Sequence, residues 1–273
     1  MKPRIETELP AGLAERAGLI ARHWAAQGSP FIAAKVAVTL DGRTATRAGD
    51  SQWITGEGAR ADVMRWRRAF PAIAVGAGTV RADNPRLTAR NGHEPDWCPI
   101  RFIFDGRLRT VDGPVLPHVY ADAFRARTIV VTTDHSGSEA RRRLQAQGVQ
   151  VWTFATPQPR VPPADFRRRC AEAGLTGIYV EGGSDLLSQF LVSRQLDYLF
   201  AYRGPLLLAD DDAKPVFSGW QTEKMTGAIR LTGVQHEVFA GDLLTRGHLA
   251  YPERPVCDQI PSGPASLSSR AGG

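Results

Sequence analysis

The chain has 273 residues, 42% hydrophobic and 23% charged, enough to bury a full core in one or two domains and too ordinary for a collagen-like, coiled-coil or disordered chain. The formal net charge is +6, which fits a phosphate-bearing ligand. Only four of the cations are lysines (Lys2, Lys35, Lys214, Lys224), and the arginines are scattered rather than massed in a stripe with aromatics, so nucleic acid is not expected as a partner.

Leu13 to Ala26 has apolar residues at helical spacing and ends near Gly28-Ser29-Pro30, which predicts a helical extension over residues 1–29 ahead of the main domain. Phe31 to Leu40 is a nearly unbroken apolar run, the pattern of a strand covered on both faces. Gly58 to Phe70 reads as a helix with Thr55 as its N-cap, and Ala72 to Val75 as a strand. The segment after Gly76 lacks the third glycine of a dinucleotide fingerprint, because Arg81 stands there, and Asn84-Pro85 forces a turn that keeps Asn84 out of helical geometry, so that Asp83 and Arg90 flank an irregular loop leaving the sheet. Strands at Ile100 to Phe104, Thr128 to Thr132, Val149 to Phe154 and Gly177 to Val180 alternate with helices near Ser138 to Gln147 and Ala164 to Ala173. Gly183 to Ser193 reads as a helix and Leu196 to Tyr202 as a strand. Ala228 to Phe239 reads as two short strands around Gly233, so the sheet of the domain at 30–250 is mixed. From Tyr251 on, Pro, Ser and Gly predict a poorly ordered tail. Cys98, Cys170 and Cys257 show no C-x-x-C or Cys/His pairing, which argues against zinc or a disulfide framework and fits a reducing cytoplasm. Neither a signal pattern nor an apolar run of about 18 residues occurs, so no membrane partner is expected.

Three features could carry chemistry. Lys35 is the lone charge in an apolar strand, either snorkelling to the sheet edge or held for a purpose. Glu181 closes a strand and precedes Gly182-Gly183-Ser184-Asp185 and a helix, either an ordinary tight turn or an anion site built from free N–H groups and the helix dipole. Asp83 and Arg90 flank the Asn84-Pro85 turn, and a loop arginine there is either solvated or a ligand.

In order and spacing, Leu40 to Ala45 (LDGRTA), Gly49 to Thr55 (GDSQWIT), Gly76 to Arg90 with its ADNPRLTAR ending, and Val180 to Gly183 (VEGG) resemble the reductase domain of bacterial riboflavin-biosynthesis deaminase/reductases. The resemblance runs from about Phe31 to Leu243 and implies a dihydrofolate-reductase-like α/β fold: a mixed, mostly parallel sheet flanked by helices, with a C-terminal antiparallel hairpin. It implies NADPH as cofactor, bound by Ala37, Trp53, Thr79, Asp83 and the turn Gly183, Ser184, Asp185, Leu186, Leu187, Ser188 and Gln189. Ser51, Arg67, Leu87, Arg90 and Glu181 would bind a phosphoribosyl-pyrimidine substrate, with Arg67 and Arg90 clamping its phosphate. Lys35, Asp83 and Glu181 are the catalytic candidates, Asp83 as acid/base. No metal is implied, and a homodimer is. The sequence departs from the family in lacking an H-x-E followed by P-C-x-x-C, so a separate deaminase is required. Ala209-Asp210 stands where the family commonly has glycine. A same-fold paralogue reducing a pterin or a secondary-metabolite intermediate is the alternative.

Overall fold

A computed structural model describes residues 14–90 and 97–253. The expected tail, from Arg254 on and with Cys257, lies outside them. In chain order the elements are α1 (Ala14–Gln27), β1 (Phe31–Val38), β2 (Arg43–Ala45), α2 (Glu57–Ala69), β3 (Ala72–Gly76), α3 (Ala77–Asp83), β4 (Ile100–Phe104), α4 (His118–Ala121), β5 (Thr128–Thr133), α5 (Ser138–Ala146) and β6 (Gln150–Phe154). There follow α6 (Pro163–Glu172), β7 (Gly177–Val180), α7 (Ser184–Val192), β8 (Tyr198–Arg203), β9 (Lys214–Pro215), β10 (Arg230–Phe239) and β11 (Asp242–Ala250).

Nine strands form one sheet in the order β10-β11-β8-β1-β7-β3-β4-β5-β6, and β2 and β9 pair separately. From β8 to β6 every neighbouring pair is parallel, while β11 runs antiparallel to both β8 and β10. This is the expected mixed, mostly parallel sheet with a C-terminal hairpin. The apolar runs of β1 and β7 follow from burial on both faces. On one face Ile32, Ala34, Val36 and Val38 pack with Phe166 of α6 and Phe190 of α7. On the other, Phe31 and Ala33 pack with Tyr179, Phe200 and the inner residues of α1 and α2. Alternation along β1 therefore turns Lys35 and Ala37 toward α2. Among the described residues no helix is long and apolar enough to cross a membrane.

The structure departs from the sequence reading at three points. Thr55 does not cap α2: the N-cap is Gly56, without a side-chain cap, and the Gly56 N–H donates to Asp242 Oδ2 at 2.7 Å. The short helix α3, from Ala77 to Asp83, had no signal in the pattern, while the irregular stretch expected between Asp83 and Arg90 begins at Asn84, which leaves right-handed helical geometry with φ +41°. Finally, β10 is one strand. Gly233, with φ +58°, sits in a bulge between Thr232 and Gln235, and the hairpin turns at Ala240-Gly241 into β11, a strand the sequence pattern did not reveal.

Candidate active site

The chain winds away from β1 in both directions, and open α/β sheets take ligands outside the carboxyl ends of the strands at such a point. Ala34 pairs with Val180, so the next residues, Lys35 and Glu181, come side by side there. The Glu181 N–H donates to the Ala74 carbonyl at 3.0 Å, which fixes its backbone against β3. Arg67 reaches in from α2 and grips the carboxylate with two bonds, Nε to Oε1 at 2.6 Å and Nη2 to Oε2 at 2.7 Å. Its remaining nitrogen, Nη1, donates to the Thr88 carbonyl at 2.7 Å. The Arg67 and Glu181 side chains are only 12% and 8% exposed, so this bidentate, charge-assisted pair is screened little by water.

Burial alone would push the Glu181 carboxyl up, but Arg67 and Lys35 outweigh it and hold the group below the ordinary glutamate value. Burial, reinforced by Arg67 and opposed by Glu181, holds the Lys35 ammonium below the ordinary lysine value. Among the described residues no hydrogen bond or ion pair within reach holds that ammonium. The cluster is thus one ionised carboxylate between a committed guanidinium and an uncommitted amine, a group able to hold or release a proton.

Beside it the turns after β3 and β7 back onto each other. Gly182 has φ +120°, a conformation that only glycine adopts easily, and its carbonyl accepts the Gly76 N–H at 3.0 Å. A Cβ on Gly183 would meet Thr79 Oγ1 at 3.5 Å, and one on Gly76 would meet Leu186 Cβ at 3.7 Å. Gly183 caps α7 without a side chain, so first-turn N–H groups of that helix lack a side-chain acceptor.

The remaining expected positions fall into two groups. Leu186 and Leu187, 4% and 3% exposed, lie in the core, as does Leu87 at 5%, which leaves them only backbone for a ligand. Ser188 Oγ accepts the Ser218 N–H at 2.9 Å. Asp185 pairs with Arg160 at 3.3 Å and accepts from Gln189 at 3.0 Å. Gly183, Thr79 and Ser184 face each other's surroundings openly, with Ser184 Oγ 3.4 Å from Thr44 Oγ1. Asp83 lies one turn after Thr79 on α3, exposed, its carboxyl raised by partial desolvation. Trp53 is 67% exposed under the Arg60 guanidinium, 4.5 Å from its ring centroid. Ser51 and Arg90 are exposed. Arg67 and Arg90 share no partner among the described residues: the fork of Arg67 lies on Glu181.

Several supporting residues were not anticipated. Arg101 on β4 is fully buried and spends its guanidinium on Asp122 (2.7 and 2.9 Å), the Arg86 carbonyl (3.0 Å), the Val119 carbonyl (2.9 Å) and Thr128 Oγ1 (2.9 Å). It anchors the 84–90 segment from below, while Asn84 Oδ1 accepts the His118 N–H at 2.8 Å. The signal was present: Arg101, like Lys35, is a lone charge in an apolar strand. The Ala209-Asp210 departure also finds a role, since Asp210 binds Arg47 at 2.7 and 2.8 Å and ties down the loop that leads to Ser51.

Comparison with known proteins bears on this arrangement. The RibD C-terminal domain family matches residues 30–245. The chain is 36% identical over 241 residues to the riboflavin biosynthesis protein RibD of Bacillus amyloliquefaciens, covering 88% of this chain and 62% of that protein. It is similar to the structure of Acinetobacter baumannii RibD, with a TM-score of 0.71 and 26% identity over 87% of this chain and 63% of the other. It is also similar to a Thermotoga maritima diaminohydroxyphosphoribosylaminopyrimidine deaminase/5-amino-6-(5-phosphoribosylamino)uracil reductase, with a TM-score of 0.65 and 25% identity over 85% and 60%. The chain therefore spans less than two thirds of the length of each of these relatives.

Proposed function

Because the chain belongs to the RibD C-terminal domain family, we propose that it is an NADPH-dependent reductase converting 5-amino-6-(5-phosphoribosylamino)uracil to its ribitylamino counterpart in riboflavin biosynthesis. The observation that carries this reading is the Lys35–Glu181–Arg67 cluster at the carboxyl ends of β1 and β7, set beside a glycine-lined helix start. That start fits an anionic cofactor: exposed Gly183 has no side chain to cover the backbone N–H groups there, and the dipole of α7 favours negative charge.

Ala37, Trp53, Thr79, Asp83 and the turn at Gly183–Gln189 would hold NADPH, which supplies a hydride to the anomeric carbon of the ring-opened ribose. The chain's own work is alignment, water exclusion and proton handling. Lys35 would bond the opening sugar and keep a proton available at Nζ. Glu181, each of its oxygens already accepting from Arg67, keeps further lone pairs for the sugar hydroxyls. Arg67 gives three N–H groups to Glu181 and the Thr88 carbonyl and a fourth to the Met64 sulfur, which leaves one on Nη2 for the same ligand, while exposed Arg90 and Ser51 would meet the phosphate. Asp83, with its raised carboxyl, is the acid/base candidate. On this reading the enzyme is a cytoplasmic homodimer, and its deaminated substrate comes from a zinc-type deaminase activity whose motif is not in these 273 residues.

The test is NADPH oxidation with the deaminated pyrimidine, its non-deaminated precursor and dihydrofolate in parallel. Turnover on the first, with NADPH favoured over NADH, is expected. No turnover on it, or faster turnover on dihydrofolate, refutes the assignment.

A further inference from the structure

The proposed chemistry has no use for Asp62, yet its side chain is 1% exposed in the middle of α2. A carboxylate so placed is tolerated only when paired and hydrogen-bonded. Its Oδ2 accepts the Tyr202 hydroxyl at 2.8 Å, and its Oδ1 accepts Arg16 Nη2 from α1 at 3.1 Å, with Arg65 Nε at 3.4 Å. Tyr202 sits on β8 opposite Ala37 of β1. The two strands flanking β1 thus each fasten α2 by one polar latch, Tyr202 to Asp62 on one side and Glu181 to Arg67 on the other. Apart from Arg68, the other buried residues of α2, Ala59, Val63, Trp66 and Ala69, are apolar, and such contacts do not fix direction. Between the latches the buried Tyr179 hydroxyl lies beside that of Tyr202, in the field of both Asp62 and Glu181.

We propose that Asp62 and Tyr202 are positioning residues, held from α1 by Arg16, that set the rotation of α2 and so aim Arg67 at Glu181. With a side-chain envelope of radius ~5–6 Å, a turn of ~10° carries a side-chain tip by about 1 Å. That is enough to spoil a two-point pair whose arms are 2.6 and 2.7 Å, and displacements of this size cost about a hundredfold in rate when they misplace a reacting group.

The inference rests on the proposed function for its kinetic arm only. In the full chain, Tyr202→Phe and Arg16→Ala are each expected to lower kcat/KM for the pyrimidine at least tenfold while the KM for NADPH stays within twofold, and Arg16→Lys should restore most of the loss. A second readout needs no substrate: the pH midpoint for acylation of Lys35, followed by mass spectrometry. Drawing Arg67 off Glu181 leaves Lys35 as the carboxylate's nearer cation, so the midpoint should rise in both variants. Wild-type kinetics with an unmoved midpoint overturn the inference. So does a lower Tm with both KM values worsened together and the midpoint unmoved, which is the mark of a merely structural brace. If the wild-type chain does not turn over the pyrimidine, the functional reading fails, and the Lys35 midpoint still decides this one.

Discussion

Replacing Glu181 by Gln keeps the volume and one carbonyl acceptor but removes the charge that Arg67 and Lys35 share. The pair it breaks has both partners about nine-tenths buried and two bonds of 2.6 and 2.7 Å. Breaking a buried pair by removing one partner costs about 3–5 kcal/mol, because the surviving charge stays in low dielectric. For a domain of this size each kcal/mol lowers Tm by roughly 2–4 °C, so Glu181→Gln should lower it by roughly 6–20 °C. The loss has a defined pH window. Glu181 is held below its ordinary 4.5 in the fold, so its contribution is fully present above that pH and disappears as pH falls through the lower folded value. Melting curves of wild type and variant should therefore be separated by a constant gap above pH 4.5 and converge in stronger acid. Turnover should fall at least ~100-fold, the loss expected when an interaction made in the transition state goes, while NADPH affinity, read by fluorescence titration, stays within threefold. Unchanged Tm would show that the pair contributes nothing, and lost NADPH binding would reassign Glu181 to the cofactor.

Lys35→Met should abolish most turnover yet raise Tm, since methionine fills the same space without a buried charge. Lys35 titrates below 10.5 in the fold, so this gain should be full below its folded pKa and shrink as pH climbs toward 10.5; a variant with wild-type activity would mean the amine merely snorkels. Gly106→Ala drives a Cβ into the Pro159 carbonyl oxygen, so the 156–162 connection must give way at a cost of about 1–3 kcal/mol or more, and an unmoved Tm would contradict that approach. Arg101→Met strips the anchor from the Arg86 carbonyl and leaves Asp122 unpaired, so it should destabilise the fold and raise the pyrimidine KM more than the NADPH KM. Equal changes in the two KM values would show that the anchor does not act through the 84–90 segment.

The sequence disclosed what depends on period and isolation. Continuous apolar runs identified β1 and β7, and a single charge inside such a run singled out Lys35. What it could not disclose depends on distance: Arg67 and Glu181 are 114 positions apart, and the helical pattern shows only that Arg67 shares a face with Val63 and Phe70 at the margin of the apolar stripe, not which strand it meets. The seven residues of α3 bury only Val80, too little to leave a period. β11 was hidden because Arg246 and His248 break its apolar pattern. In the fold Arg246 pairs with Glu237 at 2.8 Å and lays its guanidinium 5.1 Å from the Trp66 ring centroid, so a charged side chain serves as cover for an aromatic. Thr55 is not the cap because α2 starts one residue later, behind Gly56, whose own N–H is held by Asp242 from the strand that was not foreseen.

The position of β1 governs how this fold comes into being. It is among the first segments of the sheet to be synthesised, but both its neighbours, β7 and β8, belong to the far part of the chain, and the Ile32 N–H waits for the carboxylate of Asp197, 165 residues on. Closing such long loops precedes any return from the contacts they bring. Lys35 therefore acquires its carboxylate neighbour only after β2 to β7 have been made, and no fragment that ends before β7 carries a rudimentary centre. Recovery of activity during refolding should accordingly trail helix formation and coincide with the last cooperative step, making catalysis a reporter of completed topology.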